Sequence, residues 1–390
     1  MSLRVALVHS FYSSKQPSGE NAEVEAEVQA LRRSGISAEL FAARTDDLEA
    51  EPLYRLRSAV RVATGMGASP LREIEAYAPD VVHVHNLFPN LGRRWVAKLP
   101  VPLVVTLHNF RFTCANGMLF RDGQVCTDCP DGHPWSGLRH GCYRGSPSAT
   151  LPVTVAQLGG PTADPVLARA DRILCLSALQ RRLLESRGIP RAKLVDWSNF
   201  LPAELDPGGS SPSGPREGVI CAGRVSSEKG VVELVSSWDS DTRLTVVGDG
   251  PQFEDVKAAA VGRNVDVLGR VERAAVLDLM ARSAAFIMPG VWPEGSAAPL
   301  SYIEALACGL PVVVRTTSEV SARVTEDRTG RVIGSLDEAA GAVALVERDT
   351  ATSEHCRRVY ETRYAEDIWR VRVGDLYASL VRPASVVDAP

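Results

Sequence analysis

Short apolar segments alternate with helix-patterned stretches along almost the whole chain, and this rhythm limits the fold more than any other feature. In the first half the strand candidates are Arg4–His9, Ser37–Phe41, Val81–His85, Leu103–His108 and Arg172–Leu176. In the second half they begin at Val219 and run through Leu244–Val247, Val265–Leu268 and Ala285–Met288 to Arg331–Ile333. Continuous Val/Ile/Leu runs separated by amphipathic helices predict parallel sheets covered by helices on both faces. At 390 residues the chain is too long for one core, and two domains of about 180–200 residues each fit its length.

Leu201–Gly218 contains Pro-Gly-Gly-Ser-Ser-Pro-Ser-Gly-Pro, which suits neither a helix nor a central strand and reads as a linker over 201–218. This divides the chain into a first domain over 1–200, a second over 219–365 and a C-terminal helix over 366–390. The tail Tyr364–Leu380 is helical in pattern, with Ile368, Trp369, Val371, Val373, Leu376 and Tyr377 as its apolar positions. A net charge of −4 argues against a general nucleic-acid binder. No apolar run reaches the roughly 18 residues of a membrane span. Val5–Val8 is too short for the core of a signal peptide and reads as a first strand, so a cytoplasmic protein is expected.

Chemistry concentrates in Trp292–Pro311, which places Glu294 in a Gly/Pro-rich loop and Glu304 on the helix that follows. That helix is predicted to open near Pro299, with Leu300, Ile303, Leu306 and Ala307 as its apolar face. A helix start preceded by close-approaching loop backbone is a ready anion site, and a carboxylate one turn in can hold the hydroxyls of whatever carries the anion. An ordinary surface loop feeding an amphipathic helix is the competing reading of these residues alone. Upstream, the strand at 218–224 ends in Gly223-Arg224, and Ser-Ser-Glu-Lys-Gly follows at 226–230. Arg224 and Lys229 thus fall in a loop at the carboxyl end of a strand, where open α/β sheets bind ligands.

Taken together, these motifs resemble the retaining glycosyltransferases of family 4, which have the two-domain GT-B fold. The matching pieces are Gly223-Arg224, Glu228-Lys229-Gly230, Gly248-Asp249-Gly250-Pro251 and the Glu294-to-Glu304 segment with its trailing Ala-Leu-Ala-Cys-Gly-Leu-Pro. The first half adds Val-Ala-Leu-Val-His at 5–9, Pro-Ser-Gly-Glu-Asn at 17–21 and Thr-Leu-His-Asn at 106–109. One departure matters. Nine residues separate Glu294 from Glu304, where the family usually has seven, so either the loop carries an insertion or Ser296 stands at the first acid's position. The fold implied is α/β, two Rossmann-like doubly wound parallel-sheet domains facing a cleft, with the C-terminal helix over 366–390 crossing back to the first domain.

The resemblance implies transfer of a sugar from a nucleotide diphosphate donor, UDP- or GDP-linked, to an acceptor hydroxyl with retention of configuration. Arg224 and Lys229 would neutralise the departing diphosphate, as a planar fork and a point charge. Backbone N–H groups near Ser296, Ala297 and Ala298 would add donors. Glu304 would accept hydrogen bonds from the donor ribose, and Glu294 completes the catalytic set. Gly223, Gly248, Gly250, Arg270 and Val271 would neighbour the base and pyrophosphate. Two cations and a helix end suffice, so no catalytic metal is expected. From the first domain, Gly19, in the loop after the first strand, would let backbone approach the phosphates or acceptor. His108 would touch the sugar, the alternative being a histidine satisfied at a strand end; His85 and His9 are weaker acceptor-side candidates. The acceptor is a small molecule or lipid-linked, a polysaccharide or glycolipid precursor or a natural product.

Cys114, Cys126, Cys129 and Cys142 form a Cys-rich insertion over 114–142, and in a reducing compartment a structural zinc ion is the leading reading, with free thiols and disulfides as alternatives. Cys175, Cys221, Cys308 and Cys356 read as buried packing residues. Arg139, His140 and Arg144 would meet an acidic acceptor or simply be solvated. Arg55, Arg57 and Arg61 alternate with Leu53, Leu56, Ala59 and Val60, a pattern for an ordinary surface helix or for peripheral contact with the inner face of a membrane. Two other functions stay open: a sugar-nucleotide epimerase on the same scaffold, and a non-catalytic zinc-bearing scaffold that binds nucleotide sugars.

Overall fold

The computed structural model describes residues 3–15, 18–208, 216–347 and 350–381. The described chain up to Leu119, Thr127–Trp197 and the residues from Trp369 onward make one compact unit; Phe120–Cys126 and Ser198–Ile368 make the other.

The first unit is built on six parallel strands: β1 (Arg4–Phe11), β2 (Ser37–Arg44), β3 (Val81–Asn86), β4 (Leu103–Leu107), β5 (Arg172–Cys175) and β6 (Leu194–Asp196). They lie in the order β2-β1-β3-β4-β5-β6, so the winding direction reverses between β1 and β3. Leu7 stands opposite His83, and the register slips at Val8/His9 so that His9 faces Asn86. Helix α1 (Gly19–Arg33) packs Val24, Val28, Ala30 and Leu31 against this unit and buries Glu27 with them. Helix α2 (Tyr54–Thr64) behaves differently. Only Ser58 on it is buried, while Leu56 and Val60 are 60% and 53% exposed. Helix α3 (Pro147–Gln157) starts at Ser146, whose hydroxyl accepts from the Ala149 N–H.

The second unit repeats the design with β7 (Val219–Ala222), β8 (Leu244–Val247), β9 (Val265–Gly269), β10 (Ala285–Met288), β11 (Val312–Arg315) and β12 (Gly330–Ile333). Their order is β9-β8-β7-β10-β11-β12, all parallel, with the reversal between β7 and β10. The strand period of two splits its core. Ile220, Phe286, Val312 and Val314 pack on one face of the sheet; Val219, Cys221, Ala285, Ile287 and Val313 pack on the other. Helices α4 (Val231–Ser237), α5 (Arg273–Arg282) and α6 (Leu300–Ala307) cover it, and α7 (Glu366–Val381) ends the described chain.

Three local expectations are corrected. Gly19 is the first residue of α1 rather than a loop residue, and a Cβ there would meet nothing within 4 Å. Helix α6 does start after Pro299, but every residue from Tyr302 to Ala307 is buried, Glu304 included, so it has no solvent face beyond its first turn. The tail helix begins at Glu366 and not at Tyr364, because the Tyr364 carbonyl accepts the Leu201 N–H and Ala365 bridges Leu201. Most of the Gly/Pro/Ser linker, 209–215, and the end of the tail, 382–390, lie outside the described residues. Beside that stretch, Arg216 donates to the Gly309 and Cys308 carbonyls.

Candidate functional site

In the second unit, the loops leaving β7 and β10 stand at the carboxyl ends of the two strands where the winding reverses, the place where doubly wound sheets bind ligands. Lys229 comes from the first loop and Glu294 from the second. The lysine ammonium lies 2.9 and 3.2 Å from the two Glu294 carboxylate oxygens, donating to both. Glu294 is 7% exposed and Lys229 28% exposed. The ammonium also sits 5.1 Å from the Trp292 ring centroid, within cation–π range. Gly223, Arg224, Lys229 and Glu294 line one pocket with Gly290 and Ser301. Arg224 is exposed at this pocket and meets no carboxylate among the described residues.

Backbone chemistry holds the two loops together. Gly230 adopts a left-handed φ of +64°, and a Cβ there would stand 2.6 Å from the Pro289 carbonyl oxygen. The Val291 N–H donates to the Glu228 carbonyl at 3.1 Å, and the buried Glu228 carboxylate accepts from Ser226 at 2.5 Å. Gly248 and Gly250, expected beside the pyrophosphate, have a packing role: a Cβ on Gly248 would fall 1.8 Å from the Gly223 carbonyl oxygen. These glycines let the loop after β8 lie directly against the loop after β7.

Glu304 is held differently. The Arg273 Nε–H donates to its Oε1 at 2.7 Å, while the same guanidinium keeps a buried Nη2 without a partner. Arg273 opens α5, and nothing in its sequence spacing marks it. Ser296, Ala297 and Ala298 are buried on the approach to α6, where the Ser296 hydroxyl accepts the Ala298 N–H at 3.2 Å. Arg270 is exposed and Val271 packs against the core. The pocket that gathers Lys229 and Glu294 is not lined by Glu304, Arg270, Val271 or Ser296–Ala298.

The first unit places its titratable groups at its own winding reversal. His9 comes from β1, His83 and His85 from β3, and His108 follows β4. Glu20, Glu23 and Glu27, at i, i+3 and i+7 on one face of α1, confront them. His108 Nδ1 lies 3.0 Å from a Glu23 oxygen, and its Nε2 shares a 3.0 Å hydrogen bond with His85 Nδ1. Their rings are stacked, with centroids 5.3 Å apart. His83 is engaged by the Tyr377 hydroxyl at 2.7 Å and the Thr106 hydroxyl at 2.8 Å. Glu27 stands 3.1 Å from His83 Nδ1, at ion-pair distance but out of hydrogen-bond alignment.

Burial and charge sort these groups. Burial holds His9 down to about 4 against its hydrogen bond to Asn21, and burial with the neighbouring histidines holds His85 well below the usual imidazole range. Burial opposes charge on His108 too, but the Glu23 hydrogen bond and the charges of Glu20, Glu23 and Glu27 outweigh it and raise the imidazole. Burial likewise raises Glu20. Of His9, His85 and His108, only His108 has surroundings that favour its protonated form. The three glutamates carried no signal except their helical spacing.

None of the eight cysteines forms a disulfide, and Cys175, Cys221, Cys308 and Cys356 are buried as expected. Cys114 is buried and its thiol donates to Asn116. No three cysteine sulfurs among the described residues lie within 4.8 Å of one another. Among the described residues the one group that close is Glu27, His83 and His85; both ring nitrogens of His83 are hydrogen-bonded, while the buried His85 Nε2 has no hydrogen-bond partner. Arg139, His140 and Arg144 are exposed. No helix among the described residues is long and apolar enough to cross a membrane.

This arrangement has known counterparts. Residues 18–195 match the model of the "Glycosyl transferase 4-like domain" and residues 216–348 that of "Glycosyl transferases group 1". The chain has the GT-B fold, and both of its halves are similar to glycosyltransferase domains. A Mycobacterium tuberculosis GDP-mannose-dependent alpha-(1-6)-phosphatidylinositol monomannoside mannosyltransferase is 29% identical over 227 residues, covering 50% of this chain and 58% of that one. The chain thus spans a little over half the length of that curated relative. Two solved structures share the GT-B fold. The Anabaena HepE protein in complex with UDP and glucose is 15% identical, with a TM-score of 0.63 over 97% of this chain and all of the other. Sucrose-phosphate synthase from Thermosynechococcus elongatus is 17% identical, with a TM-score of 0.68 over 97% and 99%.

Proposed function

We propose that this GT-B protein moves a sugar from a nucleotide diphosphate sugar to an acceptor hydroxyl, with retention at the anomeric carbon and without a catalytic metal. The second unit takes the donor and the first the acceptor. The observation that carries this reading is the Lys229–Glu294 pair, set beside Arg224 at the winding reversal of the second sheet.

As the bond from the anomeric carbon to the diphosphate breaks, charge grows on the leaving oxygen. Arg224, with no carboxylate of its own, spans two phosphate oxygens, and Lys229 supplies a second fixed cation. Glu294 keeps the lysine oriented while the pocket is empty. The acceptor oxygen bonds to the anomeric carbon from the same face, and its proton passes to the departing phosphate oxygen. Glu304, fixed by Arg273, accepts the ribose hydroxyls. His108, fixed by Glu23, hydrogen-bonds the sugar or acceptor. The GDP-mannose dependence in the mycobacterial relative's name and the UDP bound in the Anabaena structure make GDP and UDP the first nucleotides to try.

The acceptor is read as a glycolipid, as in the mycobacterial relative's name. The exposed Leu56 and Val60 on α2, beside Arg55 and Arg57, give the protein a peripheral foothold on the cytoplasmic face of a membrane. Zinc enters no step.

Thermal unfolding against UDP, GDP, ADP and TDP tests the donor site. A nucleotide present at about 100 times its dissociation constant adds about 2.7 kcal/mol, so one of the four should raise the midpoint selectively. No shift with any of them contradicts the reading.

A further inference from the structure

A cavity of the first unit is distinct from the pocket at Lys229 and Glu294. It lies between α2 and α3: Arg61 and Val62 line it from one helix, and Val153, Ala156 and Gln157 from the other. His85 and His108 line it as well. Its walls are mostly aliphatic and aromatic, including Leu87, Phe88, Leu91 and Phe112.

Two arginines break that apolar lining. Arg61 donates from Nη1 to the Pro89 carbonyl at 3.3 Å, and its buried Nε has no hydrogen-bond partner. Arg111 donates to the Ala115 and Asn116 carbonyls, lies 4.3 Å from the Phe88 ring centroid, and also keeps a buried Nε without a partner. Neither meets a carboxylate within ion-pair distance among the described residues. The third arginine at the cavity, Arg93, is by contrast matched by Asp164. A buried guanidinium N–H without an acceptor is costly unless an incoming group completes it. The apolar surface also continues outside: Leu56 and Val60 on α2 and Leu151 and Val155 on α3 are exposed.

We infer that this cavity seats the apolar chain of an anionic amphiphile, with Arg61 and Arg111 receiving its phosphate or carboxylate. Calling that amphiphile the sugar acceptor rests on the proposed transfer reaction; the binding itself does not. The placement fits such an acceptor, because the cavity it would occupy is also lined by His85 and His108. An apolar chain removed from water supplies affinity by burial, and the charged group sets orientation.

The test is calorimetric titration of the full chain with decyl phosphate below its aggregation threshold, beside inorganic phosphate and decanol. Decyl phosphate should bind one to one, about tenfold tighter than decanol, the scale of one charge-assisted hydrogen bond. Inorganic phosphate alone should not bind at this cavity. Arg111→Gln should remove the difference between decyl phosphate and decanol, and Ala156→Phe, which fills the cavity, should abolish binding of both. Undiminished binding in Ala156→Phe, or inorganic phosphate binding as tightly as decyl phosphate, overturns the inference. So does absence of decyl phosphate binding. Nucleotide stabilisation is read on the same samples through the second unit, so its loss in wild-type protein counts against the transfer reading alone.

Discussion

Lys229→Ala is expected to lower kcat/KM for sugar transfer by about 100- to 1,000-fold, the cost of removing one preorganised donor from the site of developing charge. Two effects add in the same direction. The variant loses the cation that would face the leaving diphosphate. It also leaves Glu294, 7% exposed and otherwise matched by this lysine at 2.9 Å, as an unpaired anion where more negative charge must form. The double variant Lys229→Ala/Glu294→Gln should therefore recover part of the loss, because the residual repulsion disappears. Steady-state kinetics on the three proteins check this. Near-wild-type kcat/KM in Lys229→Ala would show that the pair only joins two loops.

Gly248→Ala should destabilise the second unit by about 3 kcal/mol, at the upper end for overpacking and a forced positive φ. The backbone there has a φ of +139°, and the added carbon would fall 1.8 Å from the Gly223 carbonyl oxygen. The only relief is to push apart the loops after β7 and β8, the first of which carries Arg224 and Lys229. Denaturant unfolding should show a lower midpoint, and nucleotide stabilisation should weaken with it. Gly19→Ala is the natural comparison, since its Cβ meets nothing within 4 Å and should change the midpoint little. Equal midpoints for Gly248→Ala and wild type would mean that these loops do not pack as described.

The two sheets were legible because their strands are continuous apolar runs, and a run such as Val219–Ala222 has few alternatives once helix-patterned segments flank it. Helix α6 was legible from Pro299 and its apolar spacing, but its complete burial was not, since burial of Tyr302 and Glu304 depends on neighbours far away in sequence. The site divides in the same way. Arg224 and Lys229 are close in sequence at a strand end, so their common loop could be read directly. That Glu294 faces Lys229 despite nine residues to Glu304 depends on how the loop after β10 folds back, which spacing does not encode. Arg273 and the Glu20, Glu23 and Glu27 face of α1 were missed for the same reason. Their partners, Glu304 and the histidines of β3 and of the segment after β4, are supplied by tertiary structure alone. The cysteine spacing suggested a zinc site, and no three cysteine sulfurs among the described residues lie within 4.8 Å of one another.

The central claim is retaining transfer from a nucleotide sugar, and proton NMR of the sugar tests it most directly. The protein would be incubated with GDP-mannose or UDP-glucose, a membrane lipid extract as acceptor, and EDTA. The account predicts a product whose anomeric proton shows the α configuration of the donor, formed at the same rate with and without the chelator. A β-configured product would contradict retention, and conversion of the donor to its epimer without any acceptor would assign the protein to a different reaction.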